Sequence, residues 1–254
     1  MMLRATILFT ATLLATALGA TQERILNGDL VQSPEEYPFK CNLRRLGRFT
    51  CGCVIISDTW VLTSARCVDG FLVRDLSISV GSNHLNVDDT VYEVNSRTQH
   101  FDFQTNDFFS PDIAAVEVKG PMIMDMLTVG PVTLPVQDEP SPTGAAAVVI
   151  GWGFTAAGGP ESPSLMEANA TIMDHAQCAS WYAGEGVISN EIVCTTNTGG
   201  GVCNNDNGGP LLVSNVLHGI ITWTSTECAT LQGFPGVYTR VASFRTWITD
   251  ITGV

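Results

Sequence analysis

Side chains able to do chemistry are present in this sequence, but few are spaced to do it together. His84, His100, His175 and His218 stand far apart, without the spacing of a zinc-ligand set, and read as satisfied surface or core residues. Asp88 and Asp89 alone supply too few oxygens to define a calcium loop. Gly199, Gly200 and Gly201 form a glycine run, yet the Lys-Ser/Thr pair that a phosphate cradle needs does not follow it. Asn169-Ala170-Thr171 is a sequon for N-linked glycan. The cysteines are the strongest chemical signal. There are eight, an even number spread along the chain, which in an exported protein reads as a set of disulfides.

The elements that must position these residues are mostly strands. Leu76-Ser77-Ile78-Ser79-Val80 alternates with period two, while Ala145 to Ile150 and Gly219-Ile220-Ile221 read as buried strands bounded by glycine. Leu211 to Ile221 predicts a hairpin turning at Ser214-Asn215, and the Pro- and acid-rich stretch 138–144 predicts a crossing between two halves. Helix is scarce. Asp174-His175-Ala176-Gln177 resembles a capping box opening a short helix, and Val241, Phe244, Ile248 and Ile251 recur at helical spacing near the C-terminus. Many short strands with few helices point to an all-β sandwich or barrel.

Composition narrows the function. The chain has 254 residues with 45% hydrophobic content, enough for one large domain or two small lobes with a real core. Its net charge of -13 repels nucleic-acid backbones and anionic membrane surfaces, so neither is an expected partner. One basic residue, Arg4, precedes an apolar run over 5–18 that ends in small residues around Ala20. A bilayer core needs about 20 apolar residues, so this shorter run reads as a signal peptide over 1–20 and the chain as secreted, without membrane insertion. A short polar tag, 21–24, then ends in Arg24 before apolar Ile25, which marks a second cleavage point.

Four segments in order make residues 25–254 resemble a chymotrypsin- and trypsin-like serine protease domain: Ile25-Leu26-Asn27-Gly28, Trp60-Val61-Leu62-Thr63-Ser64-Ala65-Arg66-Cys67, Asp112-Ile113-Ala114-Ala115, and Cys203-Asn204-Asn205-Asp206-Asn207-Gly208-Gly209-Pro210. Gly151-Trp152-Gly153, Thr222-Trp223 and the run from Pro235 to Val241 extend the match. The resemblance implies two six-stranded antiparallel β-barrels, about 25–135 and about 136–240, followed by a short C-terminal helix at about 241–251. It places the site in the cleft between the barrels.

That family uses a Ser nucleophile, a His base and an Asp that orients the His. The resemblance puts Arg66 at the His position and Asn207 at the Ser position, and only Asp112 keeps the family's residue. A guanidinium holds its proton at any ordinary pH and has no lone pair to accept another. The amide nitrogen of Asn207 is delocalised into its carbonyl and is a poor nucleophile. Asn205 stands where the family has an oxyanion-hole Gly, and Asn205 and Asn207 are the oxyanion-hole equivalents. Arg66 either pairs with buried Asp112 or points outward as a ligand contact.

Further assignments come from the same resemblance. Gly201 takes the place of the acid that receives basic side chains, and Thr224 narrows a pocket formed with Thr222, Trp223 and Gly236, leaving it small, apolar or blocked. Ile25, freed by cleavage after Arg24, would pair with Asp206. Cys51-Cys67, Cys178-Cys194 and Cys203-Cys228 match family disulfides. Cys41 and Cys53 then remain, flanking a hairpin through Arg44, Arg45 and Arg48. A bond between them is expected if their Cα atoms lie within about 7 Å, with a metal site as the rival use.

The resulting expectation is a monomeric, secreted protease homologue with no cofactor and no intact catalytic set. It would act by binding other proteins, proteases or cascade components among them, as cofactor, decoy or adaptor. Two rivals stand beside it: an unorthodox hydrolase using Thr222 or a base supplied by the substrate, and a structural or storage secretion.

Overall fold

The computed structural model describes residues 28–87, 90–154, 159–197, 205–223 and 235–254. The leader, Arg24, Ile25, the pair Asp88 and Asp89, the run 199–201, the Cys203-Cys228 pair and Thr224 lie outside them.

The first barrel is closed by six antiparallel strands: β2 (Lys40–Arg45), β3 (Arg48–Ile55), β4 (Trp60–Thr63), β5 (Leu76–Val80), β6 (Thr90–Gln99) and β7 (Ala114–Val118), in the order β2-β3-β4-β7-β6-β5. β2 and β3 form a hairpin in which Cys41 lies directly opposite Cys53. Leu46 and Gly47 turn it with φ of 50° and 77°, a left-handed pair whose twist suits a two-residue hairpin. Leu43, Val54, Leu62, Ile78 and Val116 are fully buried and pack in one core.

The second barrel uses β8 (Ala146–Gly151), β9 (Met166–Ile172), β10 (Ile192–Asn197), β11 (Pro210–Val213), β12 (Val216–Trp223) and β13 (Gly236–Arg240). They run β9-β10-β13-β12-β11-β8, and β8 closes the ring on β9. The short β1 (Asp29–Leu30) is appended outside β9. The predicted hairpin is β11-β12, and Ser214 and Asn215 turn it with φ of 50° and 63°. Ala147, Val149, Met166, Leu211, Ile221 and Tyr238 share its core.

α1 (His175–Trp181) starts where the Asp174 carboxylate accepts the Gln177 amide at 3.1 Å. The C-terminal helix α2 (Arg245–Thr252) begins four residues later than the periodicity suggested, because Val241–Phe244 form a 3-10 turn first. The His100 ring touches both Phe244 and Trp247, which fastens this C-terminal segment to the first barrel next to the site.

Three disulfides are formed among the described residues: Cys41-Cys53, Cys51-Cys67 and Cys178-Cys194. The Cα atoms of Cys41 and Cys53 are 4.9 Å apart, and those thiols are joined to each other rather than held for a metal. One expectation about histidine needs correcting. His218 is buried and its Nδ1 has no hydrogen-bond partner among the described residues, so it is not fully satisfied.

Candidate functional site

Asp112 sits just ahead of β7, at the seam of the two barrels, and is 1% exposed. Its Oδ1 accepts the Ser64 hydroxyl at 2.7 Å and the Arg66 amide at 3.0 Å. Its backbone carbonyl accepts the Thr239 hydroxyl of β13 at 2.9 Å, so both barrels hold it. Burial pushes the carboxyl above its ordinary range, against the Ser64 bond, the Arg66 amide and the Arg66 charge, which favour the ionised form.

Arg66 lies in the 3-10 turn Ala65–Cys67 that follows β4, fixed by buried Ala65 and by the disulfide from Cys67 to β3. Its Nε lies 3.2 Å from Asp112 Oδ2, an ion pair by distance in which neither atom makes an aligned hydrogen bond. The other end of the guanidinium turns to a loop. Nη1 donates to the Thr105 carbonyl and Nη2 to the Asp107 carbonyl, each at 2.8 Å. The guanidinium carbon lies 4.6 Å from the Phe108 ring centroid and 5.6 Å from that of Phe103. Pairing and outward reach therefore occur in one side chain, and the outward contacts are to the protein itself.

The loop that receives Arg66 is shaped by its own polar residues. The Phe109 amide donates to the Asp107 carboxylate at 2.8 Å, the Gln104 amide donates to the Ser110 hydroxyl at 3.0 Å, and the Thr105 hydroxyl donates to Asp69 at 2.7 Å. Trp223 in β12 donates its indole N-H to the Phe108 carbonyl at 2.8 Å. Phe109 meets Trp223 and Tyr182 edge to face, and Tyr182 meets Trp223 in the same way. This loop of the first barrel is thereby docked against the second.

Asn207 lies in the turn 205–209. Its carbonyl accepts the Gly52 amide at 2.9 Å, and the Gly208 amide donates to Ile221 at 2.8 Å. Gly208 has φ of 80°, and a Cβ there would strike Thr63 and the Gly52 carbonyl, so only glycine fits. Asn205 takes φ of 72°, a left-handed angle that Asn tolerates, and its Nδ2 donates to Glu161 at 2.9 Å. Asp206 is buried and accepts the Gly153 amide at 2.8 Å.

Of the pocket residues, Thr222, Trp223 and Gly236 are described. The Thr222 hydroxyl is buried and donates to the Val237 carbonyl at 3.2 Å. A Cβ on Gly236 would lie 2.7 Å from the Tyr238 hydroxyl and 2.9 Å from that of Thr195, so those two buried side chains occupy the space beside it. Sequence reasoning missed Ser64, Glu161, Thr105, Asp107 and Phe108. Three of these act through backbone carbonyls or an aromatic face, which leave no signature in residue type; Ser64 does stand two residues before Arg66.

A family model described as Trypsin matches residues 25–248. The chain belongs to the trypsin family. Trypsin delta of Drosophila melanogaster is 31% identical over 97% of this chain and 98% of that protein, and Trypsin 5G1 of Aedes aegypti is 31% identical over the whole of both. Among solved structures, the scabies mite inactivated protease paralogue S-D1 superposes with a TM-score of 0.81 at 25% identity, covering 90% of this chain and 97% of that one. Human heparin binding protein gives 0.77 at 25%, covering 91% and 96%. This trypsin-family chain holds Asp112 buried at the seam of its two barrels, with Arg66 3.2 Å away and Asn207 in the turn 205–209.

Proposed function

We propose that this chain is a secreted trypsin-family protein without peptidase activity, which works by binding other proteins. The observation that carries the reading is the engagement of Arg66: its guanidinium is committed to Asp112 and to the Thr105 and Asp107 carbonyls. In the general mechanism, proton transfer needs a lone pair beside the nucleophile, and covalent capture needs a hydroxyl or thiol. Arg66 and Asn207 provide neither. In template enzymes the loss of triad members leaves at best about 10³ to 10⁴ of acceleration over water.

Two similar structures carry names that fit such a role, an inactivated protease paralogue and a heparin binding protein. The trypsins at 31% identity keep the hydrolase alternative in view. That alternative draws little support from Thr222, whose hydroxyl is buried and already spent on a backbone carbonyl. Export and a leader ending near Ala20 complete the proposal, together with cleavage after Arg24 and pairing of Ile25 with Asp206. The three disulfides agree with export.

A binding role also has a surface to use. Phe108 is 55% exposed, and Trp181 and Val187 are exposed next to Tyr182 and Gly186, the contacts of Phe109. Co-purification from the native fluid tests the role. A partner protein recovered at fixed stoichiometry is expected, whereas a chain recovered only alone and in bulk would favour the storage reading.

A further inference from the structure

Four cationic side chains are exposed among the described residues, Arg45, Arg48, Arg74 and Lys119, and backbone register brings all of them to one end of the first barrel. Arg45 ends β2 and Arg48 opens β3, directly opposite each other across the turn of Leu46 and Gly47. The Leu46 amide donates to the Asp75 carbonyl at 2.7 Å, which seats that turn against the 3-10 turn Val73–Asp75 carrying Arg74. The Lys119 amide donates to the Glu93 carbonyl at 2.8 Å, and Glu93 lies opposite Ser77 of β5. One concavity runs from Leu46 past Arg74 and Glu93 to Lys119, and the adjoining one is lined by Arg45, Leu46, Arg48, Phe49 and Thr50. The other described cations are buried or half-buried. Lys40, for instance, is 4% exposed and carries its Nζ inward to 5.2 Å from the Trp152 ring centroid.

Two of the exposed cations have acids beside them: Lys119 pairs with Glu93 at 2.8 Å, and Arg74 Nε lies 3.9 Å from Asp75. Arg45 and Arg48 make no ion pair among the described residues. Like charges directly opposite on a sheet are destabilising, and a chain with a net charge of -13 has carboxylates enough to neutralise them, yet none is placed there. The Arg45 guanidinium carbon lies instead 4.0 Å from the Phe71 ring centroid, so its plane is set by an aromatic face rather than by an acid. Leu46, between the two arginines, is 70% exposed.

We propose that this end of the first barrel is a docking surface for a short acidic segment of a partner protein, with Arg45 and Arg48 clasping its carboxylates and Leu46 meeting an apolar residue beside them. The inference rests on the protein-binding reading above and supplies the chemistry of the partner. A guanidinium fork binds carboxylate in bidentate fashion, and two opposed forks suit acids spaced along one segment. A sulfated polysaccharide matches the charge but offers Leu46 nothing apolar. A long polyanion also meets the repulsion of the acidic chain along its length, whereas a short segment stays at the cationic end, within a screening distance of about 8 to 10 Å.

The test titrates the full chain with a short fluorescein-labelled peptide rich in glutamate and containing two leucines, with its glutamine counterpart and heparin as comparison probes. The glutamate peptide should bind about tenfold more tightly than the glutamine one, and more weakly as salt rises. Arg45→Gln with Arg48→Gln should weaken it about tenfold while leaving the urea midpoint unchanged or higher, because the charges removed face each other. Arg74→Gln, on the adjoining concavity, should weaken it about twofold. Equal binding of both peptides, or a glutamate peptide indifferent to the double variant, overturns the surface. So does heparin binding tighter than the peptide and lost in that variant, or a dimer of the chain that the variant dissolves. Co-purification from the native fluid with both chains separates this from the broader reading: a partner recovered equally by natural and double-variant chains refutes the surface alone, while specific peptide binding with no partner recovered refutes the protein-binding role and leaves the surface standing.

Discussion

Arg66 changes the local chemistry in a way that can be measured without any substrate. It neutralises a carboxylate that is 1% exposed while its other nitrogens hold two loop carbonyls. Hydrogen bonds to charged groups contribute about 1.5 to 3 kcal/mol each, but Arg66 is 18% exposed and water screens part of that. Arg66→Ala should therefore destabilise the fold by about 2 kcal/mol in urea unfolding at pH 7. The sign with pH follows from Asp112. Burial holds its carboxyl above the ordinary value of 3.8, so losing the guanidinium raises it further and penalises the ionised form. The deficit should be largest near neutrality and shrink as pH falls toward 3.8; a deficit independent of pH would mean that Arg66 does not act through Asp112. Sequence alone exposed the identities Arg66, Asp112 and Asn207, because each interrupts or keeps a recognisable segment. It could not reveal the partners of Arg66, since backbone carbonyls at Thr105 and Asp107 are present whatever the residue type.

At the scale of elements, the hairpin β2-β3 and the docked loop make separate predictions. Cys41 and Cys53 are paired across the hairpin with a sequence separation of 12, and closing a loop of that size removes entropy from the unfolded chain. Replacing both by Ala should cost about 2 to 3 kcal/mol of stability, read as a lower urea midpoint. Trp223→Phe keeps the ring but loses the N-H that reaches the Phe108 carbonyl. It should raise amide exchange in 105–110 several-fold, as expected for one lost hydrogen bond of about 1 kcal/mol, while exchange in β2 and β5 stays constant. The strands were legible because period-two alternation and left-handed turn residues such as Ser214 and Asn215 are local signals. The start of α2 was not, because helical spacing cannot distinguish a 3-10 turn at Val241–Phe244 from the first turn of the helix itself. The inward course of Lys40 was equally hidden, since a lysine at a strand start ordinarily points to water.

For the whole molecule, one buried charge leaves a mark on global stability. Lys40 falls from 10.5 to about 7 on folding, so between those values the unfolded chain binds the extra proton and stability rises with pH. The urea midpoint should climb from pH 7 to 9 and the Lys40→Met chain should lack that Lys40-dependent rise. The account of the molecule itself rests on chemistry at the seam between the barrels, where the Arg66 guanidinium pairs with buried Asp112. The most direct measurement is intact-mass spectrometry of the purified chain, with its tag removed after Arg24, following exposure to excess fluorophosphonate. No covalent adduct is predicted on the natural chain, and an adduct localised to the 205–209 turn is predicted for the double variant Arg66→His with Asn207→Ser. Stoichiometric labelling of the natural chain would contradict the account.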